Sequence, residues 1–292
     1  MRNSPNRTRS LLLVALVYVA AFGVAGLSGR MASGHHPLAV ALWADVVATV
    51  VVFAGSLALR NSSAYDPYWS VAPPLLGLYW LTAGRIEEPN VWRAGLLMTL
   101  LLCWAIRLTW NWTLRWKGLV DEDWRYVGFQ RLPFYGLVNF TAIHLFPTLL
   151  VYLACLPVFV GVALGSRPLG WLDLVAAVVA GSAIWIEARA DRDLRRHRKG
   201  PLSETSLSTG VWARSRHPNY LGEIAFWWGL YFFGLAAQPS WWWTVAGPVA
   251  ITLLFLLYSI PAMEKHLAES RPDYQHYADR TPILIPWPRG PK

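Results

Sequence analysis

Eight stretches of the chain are nearly free of charge: 11–29, 38–59, 71–83, 91–110, 138–164, 168–187, 221–237 and 241–260. Most approach or exceed the ~20 residues a helix needs to cross ~30 Å of hydrocarbon. Inside a bilayer the backbone must satisfy its own hydrogen bonds, which a helix does within one segment. The run at 71–83 reaches spanning length only with Trp69 and Ser70 recruited from its flank. The pattern predicts an all-α polytopic membrane bundle of eight transmembrane helices, or seven if 71–83 is re-entrant. No repeat, low-complexity tract or linker interrupts it, so 1–292 read as one integral membrane domain, with 1–60 a two-helix N-terminal part.

Composition agrees: 55% of the 292 residues are hydrophobic and 15% charged, too little charge for a soluble domain of this size. Charge placement adds an orientation. With a cytosolic N-terminus, 21 of the 26 lysines and arginines collect on the cytosolic side. They include Arg2, Arg7, Arg9 and Arg60, the basic residues of 115–131 and 189–216, and those from Lys265 to Lys292. Arg30, Arg85, Arg93 and Arg167 fall on the other side, and Arg107 lies within a span. This split follows the positive-inside rule and places both termini in the cytosol. It also accounts for the net charge of +9 without a nucleic-acid partner. The first apolar run is longer than the ~7–15 residues of a signal-peptide core and reads as an uncleaved anchor. Cys103 and Cys155 lie in apolar runs and offer neither a disulfide framework nor metal-ligand spacing. Many of the 18 tryptophans, among them Trp69, Trp80, Trp92, Trp116, Trp124, Trp171, Trp185 and Trp241–Trp243, fall near span ends, where indole suits a lipid–water interface.

Polar residues are concentrated in three islands. In the first, Asn61 to Trp69, Asp66 precedes Pro67 as in a turn that starts a helix. Asp66, Tyr65 and Tyr68 are either parts of that capped start or proton donors facing the bundle. In the second, Arg107, Asn111 and Arg115 recur every four residues and share one helix face. Arg107 is deep enough to need a carboxylate or phosphate partner, with Asp121 or Asp123 as the structural alternatives. His144, within the fifth span, reads as a satisfied packing residue; Asp45 and Asp173 have no assigned role.

The third island runs from Glu187 to Glu223. Glu187, Asp191, Arg195 and Arg198 form one stripe of a helix leaving the membrane. Arginine forks suit phosphate, and acids on the same stripe accept from ribose hydroxyls or an amide. In the partner segment Ser215-Arg216-His217-Pro218-Asn219-Tyr220-Leu221-Gly222-Glu223, Pro218 opens a helix whose free N–H groups favour an anion. Gly222 permits close approach one turn in. No glycine-rich nucleotide loop is present.

At these residues the sequence resembles the steroid 5α-reductase family, in particular its bacterial branch known as DUF1295. The matching blocks are SSAYDPYWSVAP, RLTWNWTLRWKGLVDEDWRY, EARADRDLRRHR, GVWARSRHPNYLGE and ESRPDYQHYADRTPILIP, spread over 61–286. The resemblance implies an integral protein of the bacterial inner membrane, NADPH bound on the cytosolic side, and reduction of a C=C bond conjugated to a carbonyl in an apolar substrate entering from the bilayer. It implies dinucleotide contacts at Glu187, Asp191, Arg195, Arg198, Asn219 and Glu223; Arg107, Asn111 and Arg115 of the second island and Arg216, His217 and Tyr220 of the third are expected, from their placement, to complete the cofactor site. Arg195, Arg198 and Arg216 are the expected phosphate ligands. Asp66 falls where relatives place a substrate-polarising glutamate. The tyrosine that assists it falls near Trp104, whose indole cannot donate a proton in that way, so Tyr65 or Tyr68 would substitute. An S-adenosylmethionine-dependent membrane methyltransferase shares the RHPNY pattern, but where those enzymes carry paired glutamates this chain has Glu264 alone. A non-enzymatic transport or lipid-binding protein is the third reading; the chain shows no inverted repeat in its favour.

Overall fold

The computed structural model describes residues 6–85 and 88–286, so Arg2, Arg289 and Lys292 of the cytosolic basic set lie outside the described residues. Helices and their connections make up the whole of it, with no strand among the described residues. The order is α1 (Arg7–Met31), α2 (Pro37–Leu59), α3 (Tyr68–Thr82), α4 (Val91–Arg115), α5 (Trp124–Phe129) and α6 (Tyr135–Val138). A π-helical stretch, Asn139–Leu145, joins α6 to α7 (Phe146–Ala163), followed by α8 (Trp171–His197) and α9 (Pro218–Ala237). A 3-10 segment, α10 (Ala246–Leu254), a second π stretch at Phe255–Ser259, and α11 (Ile260–Ser270) then form one rod, and α12 (Tyr274–Arg280) comes last.

Every apolar run lies on a helix, and six helical segments are long and apolar enough to cross a membrane. The two runs outside that set differ for separate reasons. At 15 residues, with Pro73 and Pro74 inside, α3 rises about 22 Å, short of a hydrocarbon core. The 20 residues of α9 are long enough, but Asn219, Glu223 and their Tyr and Trp neighbours dilute its apolar character.

Local signals set the helix ends. Asn90 accepts from the backbone N–H groups of Trp92 and Arg93 to start α4, and Asp123 accepts from Arg125 N to start α5. Pro37 and Pro218 occupy first turns, where their missing N–H costs nothing. Small residues then let α8 and α9 close on one another: a Cβ on Gly229 would stand 2.8 Å from that of Ala180.

Two apolar cores result. The larger gathers Trp80, Leu97, Trp104, Phe159, Ala180, Phe226, Trp227 and Phe233 from α3, α4, α7, α8 and α9. The smaller joins α1 and α2 to the 64–72 segment and Trp116. Trp80 and Trp116, read from the sequence as interfacial anchors, are core residues; Trp92, Trp171 and Trp242 do stand exposed. Near the opposite end of α4 from the polar islands, the fully buried Arg93 is neutralised by Asp173 (Nε–Oδ1 2.6 Å) and donates to the carbonyls of Arg167 and Pro168.

A strap, 116–134, leaves α4 and is pinned to the loop before α3. Asn61 donates to the carbonyls of Leu119 and Asp121, Glu122 accepts from Ser62 N, and Ser63 Oγ accepts from Asp123 N. Its Trp124 stacks on His266 of α11 at 4.5 Å, so the strap crosses from α4 to α11.

Candidate functional site

The stripe on α4 and the stripe on α8 face each other in register. Arg107 donates through Nη1 to Asp191 Oδ2 at 2.9 Å and through Nη2 to Glu187 Oε2. One turn further, Arg195 donates to Asn111 Oδ1. Both helices therefore run the same way and end together, with Arg115 the last residue of α4 and Arg198 capping α8. Arg107 meets acids of α8, and the alternative partners Asp121 and Asp123 are committed elsewhere, to Lys117 N and to Arg125.

The first turns of α9 complete the cluster. A Cβ on Gly222 would lie 2.4 Å from Glu187 Cγ and 3.0 Å from the Ala183 carbonyl, so glycine is what lets α9 reach α8 here. Glu223 is the next residue. Its two oxygens accept from the indoles of Trp104 (3.1 Å) and Trp227 (3.0 Å), and Arg107 Nη2 lies 3.8 Å away. Three buried carboxylates thus converge on one guanidinium. Glu187 Oε1 and Arg107 Nε are buried there without a partner, an acceptor and a donor left for something else.

Around the start of α9 the picture differs from the sequence reading. Glu264 accepts from Arg216, lies 2.6 Å from His217 Nε2, and accepts from Tyr274 OH at 2.5 Å. Arg216 N and His217 N donate to the carbonyls of Pro282 and Ile283, so the C-terminal segment is clipped along the same turn. Arg216 and His217 are therefore held by Glu264, beside a cavity of about 500 Å³ that Arg216, Glu264, Lys265 and Tyr274 help to line. Tyr220 stacks on the His217 ring at 5.2 Å and leans on Phe255 of the second π stretch. Asn219 is partly exposed, and its amide has no hydrogen-bond partner among the described residues.

Asp66, Tyr65 and Tyr68 are not brought into the Arg107 cluster. Asp66 Oδ1 accepts from Tyr126 OH on the strap at 2.8 Å, and burial pushes its carboxyl up to about 7, helped by the nearby charge of Asp123. Tyr68 donates to Asp45 Oδ1 at 2.6 Å, and Tyr65 bonds Thr148 Oγ1 at 2.8 Å. Both tyrosines belong to the smaller core and stack on each other. His144 has its ring nitrogens on Asn139 O and Ser56 Oγ, as expected of a packing residue.

Sequence reasoning missed Glu264 as the partner of Arg216 and His217, Trp227 as a donor to Glu223, and Tyr126 as the partner of Asp66. Only Glu264 left a signal, a lone acid just beyond the last apolar run.

Over residues 52–281 the chain matches the family described as "Protein of unknown function (DUF1295)", and it belongs to that family. An uncharacterized protein of Schizosaccharomyces pombe is 27% identical over 278 residues, covering 86% of this chain and 80% of the yeast protein. No solved structure matches.

Proposed function

We propose that the protein is an NADPH-dependent reductase of a C=C bond conjugated to a carbonyl in an apolar, bilayer-borne substrate. In this reading eight spans, α3 and α9 included, cross the bacterial inner membrane, with both termini and the cofactor site on the cytosolic side. The observation that carries it is the facing pair of stripes on α4 and α8, acids and Arg107 inside, arginines outside, with the start of α9 alongside.

The residues present fit such a cofactor. Unpartnered Glu187 Oε1 and Arg107 Nε, with the free Asn219 amide, suit the hydroxyls and amide of a dinucleotide. Arg198 makes no ion pair among the described residues and suits phosphate. When bound, NADPH supplies the hydride to the β-carbon. Asp66 is the acid at the carbonyl oxygen, where it stabilises the enolate that forms; its pKa of about 7 suits a general acid near neutrality, with Tyr126 fixing its carboxyl. Trp104 cannot share that task, because its N–H is spent on Glu223 and its ring stacks on Phe226.

One observation favours a second reading. Glu264 lies on the segment where the methyltransferases carry their glutamate pair, and it closes on the Arg-His of RHPNY. A binding titration of detergent-purified protein with NADPH, NADH and S-adenosylmethionine separates the two, repeated on Arg198→Ala and Asn219→Ala. NADPH binding that both variants lose supports the reductase. Binding of S-adenosylmethionine alone makes the protein a methyltransferase, and binding of none removes both enzymatic readings.

A further inference from the structure

One stretch of the surface presents apolar side chains where the chain is not crossing the membrane. Between the end of α4 and the apolar run of α7, Val127, Leu132, Phe134 and Leu137 are exposed, Phe134 to 84% and Leu137 to 64%. They lie on α5, on α6 and in the turn between them, and helices of six and four residues are too short to span a bilayer. The most exposed of them sits at the bend. Phe134 has a φ of 57°, a left-handed conformation that bulky side chains rarely adopt, and it belongs to neither apolar core.

The charges of this stretch are sorted the other way. Its three acids are spent on the protein: Asp121 accepts from Lys117 N, Glu122 from Ser62 N and Gln130 Nε2, and Asp123 from Arg125. Arg131 is exposed and makes no ion pair among the described residues. Inward-facing acids and an outward-facing base leave a surface that is apolar and cationic.

Apolar side chains scattered singly over a soluble surface call for no account. These are continuous with the surface that lipid covers. Tyr135–Ala163 is one 29-residue segment long and apolar enough to span, and its exposed side runs from Leu137 on through Phe146 and Leu149. At the helical rise its 29 residues reach about 43 Å, the ~40–45 Å of a bilayer with its headgroups rather than the ~30 Å of hydrocarbon. Leu137 and Phe134 therefore fall at headgroup depth.

We propose that the stretch 127–137 is an in-plane anchor, lying in the leaflet on the side where α4 ends. Leu132, Phe134 and Leu137 enter the upper acyl region, and Arg131 meets lipid phosphate. Apolar side chains below a cation at headgroup level are the means by which in-plane segments hold lipid. Acids turned to the protein remove the charge that phosphate would repel. The left-handed turn then has a use, because it delivers the Phe134 ring to the bilayer between α5 and the spanning segment. Tyr126, the neighbour of Val127, donates to Asp66, so the anchor also fixes how far that carboxyl stands from lipid. The anchor stands whether or not the protein is a reductase.

The test is spin labelling in vesicles of phosphatidylethanolamine and phosphatidylglycerol. Phe134→Cys, Leu137→Cys and Glu204→Cys are each combined with Cys103→Ala and carry one nitroxide, while Cys155 is buried and stays. Glu204, exposed on the loop after α8, is the aqueous standard, and native Cys103, labelled in the parent, is the lipid standard. Oxygen concentrates in lipid and a nickel chelate in water, so the ratio of their collision rates with the label reads its depth. At positions 134 and 137 that ratio is expected to be several-fold higher than at 204 and to approach that of Cys103. A ratio at 134 equal to that at 204 overturns the anchor. Low collision rates with both reagents, together with dipolar broadening between labels on two molecules, give the face to a second copy of the chain and overturn it as well.

Discussion

At the scale of single residues, Asp66 is the group whose behaviour is most directly measurable. Its native pKa of about 7 lies above the 3.8 of an unperturbed side chain, because burial disfavours the charge; Tyr126, Ser63, Asp123 and Arg125 are the polar groups around it. The native state therefore holds its proton more tightly than the unfolded state. The resulting stability is fully present below about 3.8 and is lost as pH rises through about 7. Asp66→Asn cannot ionise and keeps an acceptor for Tyr126. Its melting temperature in detergent is expected to match the parent below about pH 3.8 and exceed it by several degrees at pH 8. A parent that gains on the variant as pH rises would refute this assignment.

At the scale of elements, the approach of α9 to α8 decides whether the carboxylate cluster exists. Gly222→Ala places a methyl group 2.4 Å from Glu187 Cγ and 3.0 Å from a carbonyl oxygen. Either the Glu187 stem leaves Arg107 or the helices part, at a cost of about 1–3 kcal/mol. Gly181→Ala, in the middle of α8 with nothing within 4 Å, is the control. It is expected to be neutral or to stabilise by ~0.5–1 kcal/mol through the entropy glycine loses in a helix. Thermal unfolding of the two variants side by side checks both signs.

At the scale of the molecule, the helical plan was largely legible because chain-long apolar runs and four-residue spacings are local properties. Arg107–Asn111–Arg115 and Glu187–Asp191–Arg195 could be placed on faces from spacing alone. That the two faces meet could not be read, since it depends on how α4 and α8 pack. Tyr68 on Asp45 and Glu264 on His217 were hidden for the same reason, each joining residues from separate helices. Trp80 and Trp116 misled because apolar surroundings look alike in sequence whether they are lipid or protein. The two cysteines expose that distinction: Cys103 is on the outer face of α4, and Cys155 is buried in α7. A lipid-soluble maleimide is expected to label Cys103 and spare Cys155 in intact membranes. Reporter fusions at the two termini are expected to show the same, cytosolic side; opposite sides would exclude an even number of spans.

The π stretch at Phe255–Ser259 sets a rule for insertions and deletions in the last rod. Each residue of an α-helix advances the side chains by about 100°. Removing one residue between Ile260 and Met263 would swing Glu264 away from Arg216 and His217. A π turn closes its ring over one residue more than an α turn, so it carries a surplus residue that can be lost while the phase of α11 is kept. Deleting Leu257, which is 74% exposed, should leave Glu264 pointing where it does now, whereas deleting Ala262 should not. The rod thus has one position where chain length is negotiable and a neighbouring stretch where it is fixed.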